Sequence, residues 1–348
     1  MKNWVKQSVQ KIEADYNRSS DTHLLKIDIP KIPSIHLYLK DESTHPTGSL
    51  KHRLARSLFL YALCNGRIKE GTTIVEASSG STAVSEAYFA QMIGVPFIAV
   101  VPKSTAKSKI NQIEFYGGKC HFVDSAPKMH DAAARLATEI DGYFMDQFTY
   151  AERATDWRGN NNIAESIYDQ MKKEPYPIPS AIVMSAGTGG TSATLGRYIL
   201  YKGIDTKLLV VDPENSVFYD CFKSGNRKLK NNNSSRIEGI GRPKVEHSFQ
   251  PNVIDQMMQV PDAASVATIL WLEKIIGRKA GASTGTNVWG ALCFAEEMKA
   301  NKEQGSIVTL ICDSGERYLD SYYDEKWVKE HIGDIQPYTD KLNYWFLK

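Results

Sequence analysis

The tightest constraint on this chain is an alternation of strand-like and helix-like segments through most of its length. Residues 35–39 alternate side chains as a strand does. Leu50, Leu54, Leu58 and Tyr61 mark one face of a helix that starts near Ser49 and stops near Gly66. A strand at 73–75, a helix running to Gln91, a strand at 96–101, a helix at 111–116, a strand at 119–123 and a helix at 131–139 follow. After a polar stretch at 150–162 the pattern resumes: helix 163–171, strand 181–184, helix 190–201, strand 208–211, helix 263–276, a helix after Gly290 and a strand at 307–312. Such alternation predicts an α/β chain with parallel sheets covered by helices on both faces.

Composition narrows the class. A length of 348 residues fits two ordinary domains, and 42% apolar with 24% charged side chains is a soluble globular balance. A net charge of +2 gives no electrostatic reason to invoke nucleic acid or membrane. The run Arg227-Lys228-Leu229-Lys230 is isolated and reads as part of a solvated loop. No apolar run approaches the ~20 residues that span a bilayer, and residues 1–16 are too broken by charges for a signal peptide. The five cysteines (Cys64, Cys120, Cys221, Cys293, Cys312) are scattered and never form CxxC. That predicts a reducing compartment, the cytoplasm, with no disulfide framework and no metal site. Trp4, Val5, Val9, Ile12 and Tyr16 recur at helical spacing, so an amphipathic helix is expected there. Residues 223–243, rich in Lys, Asn, Ser and Gly, read as a loop or lid, and the aromatic stretch beyond Tyr323 as a segment docked on a surface.

Four constellations carry chemistry. Gly187-Thr188-Gly189-Gly190-Thr191 lies between an apolar strand and a helix, where unpaired N–H groups and flexible backbone can cradle a phosphate. A plain tight turn is the alternative. The dinucleotide pattern GxGxxG fails at Ser192, and no Lys-Ser/Thr follows at the spacing of a nucleotide P-loop. Lys51, in Pro46-Thr47-Gly48-Ser49-Leu50-Lys51-His52-Arg53, heads a helix, where a cation opposes the dipole. Most lysines so placed face solvent; one held near a phosphate or buried offers a free amine for Schiff-base chemistry. Ser78-Ser79-Gly80-Ser81-Thr82, after Glu76-Ala77, is either a carboxylate grip of backbone N–H groups and hydroxyls or an ordinary helix cap. Asp313 follows the last strand, where open α/β sheets bind ligands, or it caps a helix. A reactive amine with a phosphate cradle is the combination that pyridoxal phosphate requires.

In this order the elements resemble the fold-type II pyridoxal phosphate enzymes, the cysteine synthase and cystathionine β-synthase family, over residues 35–318. The resemblance implies two parallel-sheet domains of the tryptophan synthase β-subunit-like architecture with the active site between them, and a homodimer. It implies a helix and strand at 1–40 packing with the larger domain, a smaller mobile domain at 41–160, and a larger domain at 161–348 holding the cofactor phosphate and the tail. Lys51 matches the Schiff-base lysine, and Gly187, Thr188, Gly189, Gly190 and Thr191 the phosphate cradle. Ser78, Ser79, Gly80 and Thr82 match the loop that grips the substrate carboxylate, with Gln147 of Asp146-Gln147-Phe148 assisting. Gly239, in Glu238-Gly239-Ile240-Gly241, matches the wall beside the substrate. Arg242, next to Gly241, is placed to govern access of a second nucleophile. Asp313 falls where the family places the partner of the pyridine nitrogen.

Two departures carry information. Where synthases have an asparagine that bonds the cofactor ring oxygen, this chain has the shorter Ser81. Where most of the family has a serine at the ring nitrogen, this chain has Asp313, which can hold that nitrogen protonated and strengthen the electron sink. With residues 152–162, these departures resemble the cysteine desulfhydrase branch. The expected reaction is β-elimination on L-cysteine, a small amino-acid substrate, giving hydrogen sulfide, pyruvate and ammonia, with Lys51 as general base. A synthase adding sulfide or another thiol to an activated serine is the alternative, and a catalytically silent binding or regulatory homologue the third reading.

Overall fold

The computed structural model describes residues 2–19 and 21–346. Helix α1 (Lys2–Arg18) is followed by strands β1 (His23–Ile27) and β2 (Ile35–Asp41) and by helix α2 (Lys51–Cys64). Next come β3 (Ile74–Glu76), α3 (Ser81–Ile93), β4 (Phe97–Pro102), α4 (Lys107–Phe115), β5 (Lys119–Val123), α5 (Met129–Glu139), β6 (Tyr143–Phe144) and α6 (Gln147–Ala154). The remainder holds α7 (Ile163–Met171), β7 (Ala181–Ser185), α8 (Gly190–Lys202), β8 (Lys207–Pro213), α9 (Phe218–Ser224), β9 (Gln256–Val260), α10 (Asp262–Ile276), α11 (Ala282–Ala300), β10 (Gly305–Ile311), α12 (Glu325–His331) and α13 (Gln336–Phe346).

These elements divide into two compact units, residues 1–21 with 45–156, and residues 22–44 with 157–348. In the first, an all-parallel sheet runs β5-β4-β3-β6. One face is covered by α1, α2 and α3 through Ile12, Leu58, Phe59, Phe89 and Phe97, the other by α5 through Val75, Val100 and Ala133. Helix α3 ends at Gly94, whose φ of 77° no β-carbon obstructs, with Gly94 N and Val95 N bonding back to Ala90 O.

The family resemblance implies an N-terminal helix packed with the larger domain; the structure places that helix in the first unit. Ile12 is fully buried there, Arg56 of α2 pairs with Glu13 at 2.9 Å and lies over the Tyr16 ring, and Tyr88 of α3 donates to Asp15 at 2.9 Å. The apolar stripe and the ionic partners on α2 and α3 decide the placement; helical periodicity alone does not.

In the second unit the sheet order is β1-β2-β10-β7-β8-β9. Only β1 is antiparallel, pairing with β2. Helices α10, α11 and α13 cover one face through Trp271, Leu272, Val288, Leu292, Leu342 and Trp345. The tail docks as its aromatic content implied: Trp345 is fully buried and donates Nε1–H to Glu296 at 2.6 Å. Helix α11 starts eight residues before Gly290, because Ser283, Thr284, Gly285, Thr286 and Asn287 are buried in packing that overrides their weak helix propensity. None of the described helices is long and apolar enough to cross a membrane.

Candidate active site

Each sheet has one topological switch point, and three of the four sequence constellations, the 187–191 loop, Asp313 and the 78–82 loop, fall on these two places. In the second unit the chain runs outward from β7 to β8 and β9, then returns to lay β10 on the other side of β7. The carboxyl ends of β7 and β10 thus flank a crevice where open parallel sheets bind ligands. The glycine loop follows β7 and Asp313 follows β10.

Glycine 189 holds φ at 90°. A β-carbon there would lie 2.6 Å from Phe249 Cα and 2.7 Å from Ser248 O, so only glycine lets the loop pass this close to the 248–249 backbone. The loop then enters α8 with no acidic residue in its first turn, leaving the positive end of the helix dipole for an anion. Thr188 and Gly190 are buried and Gly187 is partly exposed. Thr188 Oγ1 accepts from Gly190 N at 3.3 Å, Ser192 donates to Gly189 O at 3.0 Å and Thr194 donates to Gly190 O at 2.9 Å, which stiffens the turn into Thr191. Ser185 Oγ, at the base of the loop, is buried without a hydrogen-bond partner among the described residues. A cradle closed to any β-carbon, the head of α8 and this orphaned hydroxyl fit a phosphate group.

The segment 236–242 lies against the same loop, with Gly241 N donating to Ala186 O at 2.8 Å. Gly239 is exposed at φ 84°. Arg242 donates Nε–H to the buried Glu246 at 2.7 Å while its own side chain stays 32% exposed.

Asp313 is 6% exposed and its Oδ2 accepts from Tyr318 at 2.6 Å. Burial, reinforced by the Asp313 charge, holds the Tyr318 proton on well above the usual phenol range. Gly281 must be glycine, since a β-carbon there would collide with the Asp313 carboxylate. Tyr322 accepts from Glu238 N and donates to Arg236 O, and Tyr323 accepts from Ala280 N and donates to Ala280 O. Three tyrosines of one segment thus brace Asp313, the 236–238 wall and the turn before α11. Nothing in the spacing of Tyr318 along the sequence signals this bond.

In the first unit the switch point lies between β3 and β6. The 78–82 loop follows β3 and Gln147 follows β6, and the structure joins them: Thr82 donates to Gln147 Oε1 at 2.8 Å. Both side chains are buried, whereas Ser78, Ser79, Gly80 and Ser81 stay partly exposed. Below them the fully buried Glu76 accepts from Ala77 N at 2.7 Å through Oε1 and from Gln147 N at 3.2 Å through Oε2. Burial pushes its carboxyl up to about 7, against the pull of these two N–H bonds. Lys51 is the first residue of α2 and partly buried, its N–H bonded to Ser49 Oγ at 3.3 Å. Behind it Thr47 Oγ1 links His52 Nδ1 at 3.1 Å to Ser85 Oγ at 2.8 Å.

Comparison with known proteins follows this geometry. The family described as pyridoxal-phosphate dependent enzyme matches residues 20–313, and the chain belongs to that family. Pyridoxal 5'-phosphate is its cofactor, and the phosphate cradle described above suits it. Among relatives, an L-cysteine desulfhydrase, Cds1, of Mycobacterium tuberculosis is 58% identical over 94% of this chain and 90% of its own length. A cysteine synthase of Dictyostelium discoideum is 27% identical over 94% of this chain and 88% of its own. Among solved structures, a hydrogen sulfide-producing enzyme from Fusobacterium nucleatum superposes with a TM-score of 0.79 at 25% identity, over 94% of this chain and 96% of that one. An O-ureido-L-serine synthase gives 0.76 at 25% identity, over 87% and 92%.

Proposed function

We propose that this enzyme is a carbon–sulfur lyase that converts L-cysteine and water to hydrogen sulfide, pyruvate and ammonia. The observation that carries this reading is the 58% identity to an L-cysteine desulfhydrase across nearly the whole chain. Pyridoxal phosphate, when bound, supplies the electron sink for charge that develops at the substrate Cα. The residues of the chain do the rest. The Gly187–Thr191 backbone and the head of α8 hold the phosphate. Lys51 would hold the cofactor through its amine and, with that amine free, would take the Cα proton as general base. The 78–82 loop and Gln147 bind the substrate carboxylate, which orients the Cα–H bond toward that amine. Asp313, whose Oδ2 accepts from the Tyr318 hydroxyl, keeps a proton on the ring nitrogen. The Cβ–S bond then breaks with its electron pair leaving on sulfur, and water completes the release of pyruvate and ammonia.

Ser81 stands beside the cofactor ring and Gly239 beside the substrate in this reading, and Arg242 governs access of a second nucleophile. The smaller domain is the mobile one. The homodimer rests on the family resemblance, and the cytoplasmic location on five free cysteines, none of them in a disulfide.

The test is an absorbance time course on purified holoenzyme given L-cysteine alone, with sulfide and pyruvate assayed together. Equal, sustained release establishes the lyase, and Lys51→Ala abolishes it while the phosphate cradle still retains cofactor. Turnover only after an activated serine and a thiol are supplied makes the enzyme a synthase. No turnover with either makes it a silent homologue.

A further inference from the structure

Helix α3 is lined with Ala, Val and Phe, yet its first two turns bury three polar side chains: Thr82 at 3%, Ser85 at 0% and Glu86 at 0% exposure. Thr82 bonds Gln147 and Ser85 bonds Thr47. Glu86 is the one left over. Neither of its carboxyl oxygens meets a partner in good hydrogen-bonding geometry among the described residues. An ionised carboxylate in that state is strongly disfavoured, so Glu86 keeps its proton. The carboxyl that faces it is Glu76, whose charge raises the Glu86 proton affinity further, after burial itself.

Glu76 has the opposite requirement. Its two oxygens accept from Ala77 N and Gln147 N, one at the exit of β3 and one at the start of α6. Two N–H donors suit an ionised carboxylate. A protonated Glu76 turns an O–H toward one of them and breaks that bond.

We infer that Glu76 and Glu86 form a buried carboxyl pair holding a single proton, and that this pair positions the 78–82 loop and Gln147 for their grip on the substrate carboxylate. The inference deepens the proposed function and rests on that reading of the loop. Both residues act through the loop and are positioning residues. With one proton the pair clamps the two strand ends. A second proton releases one side, and the Thr82–Gln147 contact loses its support. Two further groups face Glu76: His130 of α5 and Asp146 ahead of α6, themselves 3.3 Å apart. The His130 charge favours the ionised Glu76 and the Asp146 charge opposes it. The second proton enters near pH 7, where burial has pushed Glu76.

The experiment uses holoenzyme between pH 5.5 and 8.5. Steady-state kinetics with L-cysteine are run beside binding of L-alanine, which has no sulfur to eliminate, read from the visible absorbance band. In the wild type both kcat/KM and L-alanine affinity fall about tenfold per pH unit below a midpoint near 7, with kcat changing less. Glu86→Gln keeps a neutral donor toward Glu76 and leaves the midpoint within about half a unit, whereas Glu86→Leu removes the donor and moves the midpoint up by about a unit. Glu76→Gln sets an amide nitrogen against a backbone N–H, removes the acid limb and raises KM tenfold or more at pH 8. A Glu86→Leu midpoint that stays at the wild-type value overturns the inference, as does an equal loss of kcat at every pH in the Glu76 and Glu86 variants with the limb unmoved. Sulfide release with an unmoved midpoint refutes the pair and leaves the lyase. An L-alanine midpoint that shifts in Glu86→Leu, without sulfide from L-cysteine, refutes the lyase and leaves the pair.

Discussion

Gly189→Ala tests whether the glycine loop is a phosphate cradle or only a turn, and Gly203→Ala is its internal control. Both glycines lie in the left-handed region, at φ 90° and 61°, at opposite ends of α8. Alanine in that conformation costs about 1–2 kcal/mol at either site. At Gly203 nothing lies within 4 Å of the added carbon, so that cost is the whole effect. At Gly189 the added carbon meets Phe249 Cα at 2.6 Å, Ser248 O at 2.7 Å and Phe249 N at 2.8 Å. These atoms are backbone and cannot rotate away, and Phe249 is held by its stack on Phe218 at 4.1 Å between ring centroids. Overpacking of that kind adds about 1–3 kcal/mol. The loop can relieve it only by leaving its seat, so the strain appears in phosphate affinity; even 2 kcal/mol of it is roughly a thirtyfold loss. Cofactor titration by absorbance, with melting curves of the apoenzyme, reads both effects. Gly203→Ala should melt a few degrees lower and bind cofactor normally. Cofactor affinity in Gly189→Ala within threefold of wild type would refute the reasoning, because the cradle would then tolerate the displacement.

Three further outcomes are expected. Tyr318→Phe removes the 2.6 Å donor to Asp313 and should cost about 1.5–3 kcal/mol in denaturant unfolding of the holoenzyme, with slower sulfide release but retained cofactor. Thr82→Val keeps the shape and loses the bond to Gln147, so KM for L-cysteine should rise about tenfold while kcat stays within a factor of three, by steady-state kinetics. Asp212 is fully buried and burial pushes its carboxyl from 3.8 up to about 7; Asp262 shifts the same way. A raised native value means the folded state binds more protons, so this contribution to stability is full below about pH 4 and lost as pH rises through 7. Denaturant unfolding between pH 5 and 7 should show a loss approaching about 1.4 kcal/mol per pH unit from Asp212, and Asp212→Asn should flatten that slope.

Much of the architecture was legible because parallel strands are short apolar runs and the helices between them carry one apolar stripe. Segment 35–39 became β2 and segment 190–201 became α8. The misses share one cause. Strand β1 contains Lys26 and sits at a sheet edge, so its alternation is weak; the pairing of His23 with Asp41 through Ile27 with Leu37 defines it. The first turns of α11 are Ser-, Thr- and Gly-rich, and contacts with the sheet make them helical. The placement of α1 depended on Arg56 and Tyr88, residues distant in sequence.

The candidate site divides the same way. Sequence determined which groups are available: an amine at Lys51, a glycine-rich turn before α8, a hydroxyl-rich turn before α3 and a carboxylate at Asp313. Those are properties of residue type and local order, and local order survives in any fold that keeps the strands parallel. Tertiary structure decided what each group does. It set the turns at two switch points, barred any β-carbon at Gly189, attached Tyr318 to Asp313, and brought Glu76 against Glu86 beneath Gln147. Proton affinity and steric closure depend on what surrounds a group in space, and for these residues the surroundings come from strands and helices far away along the chain.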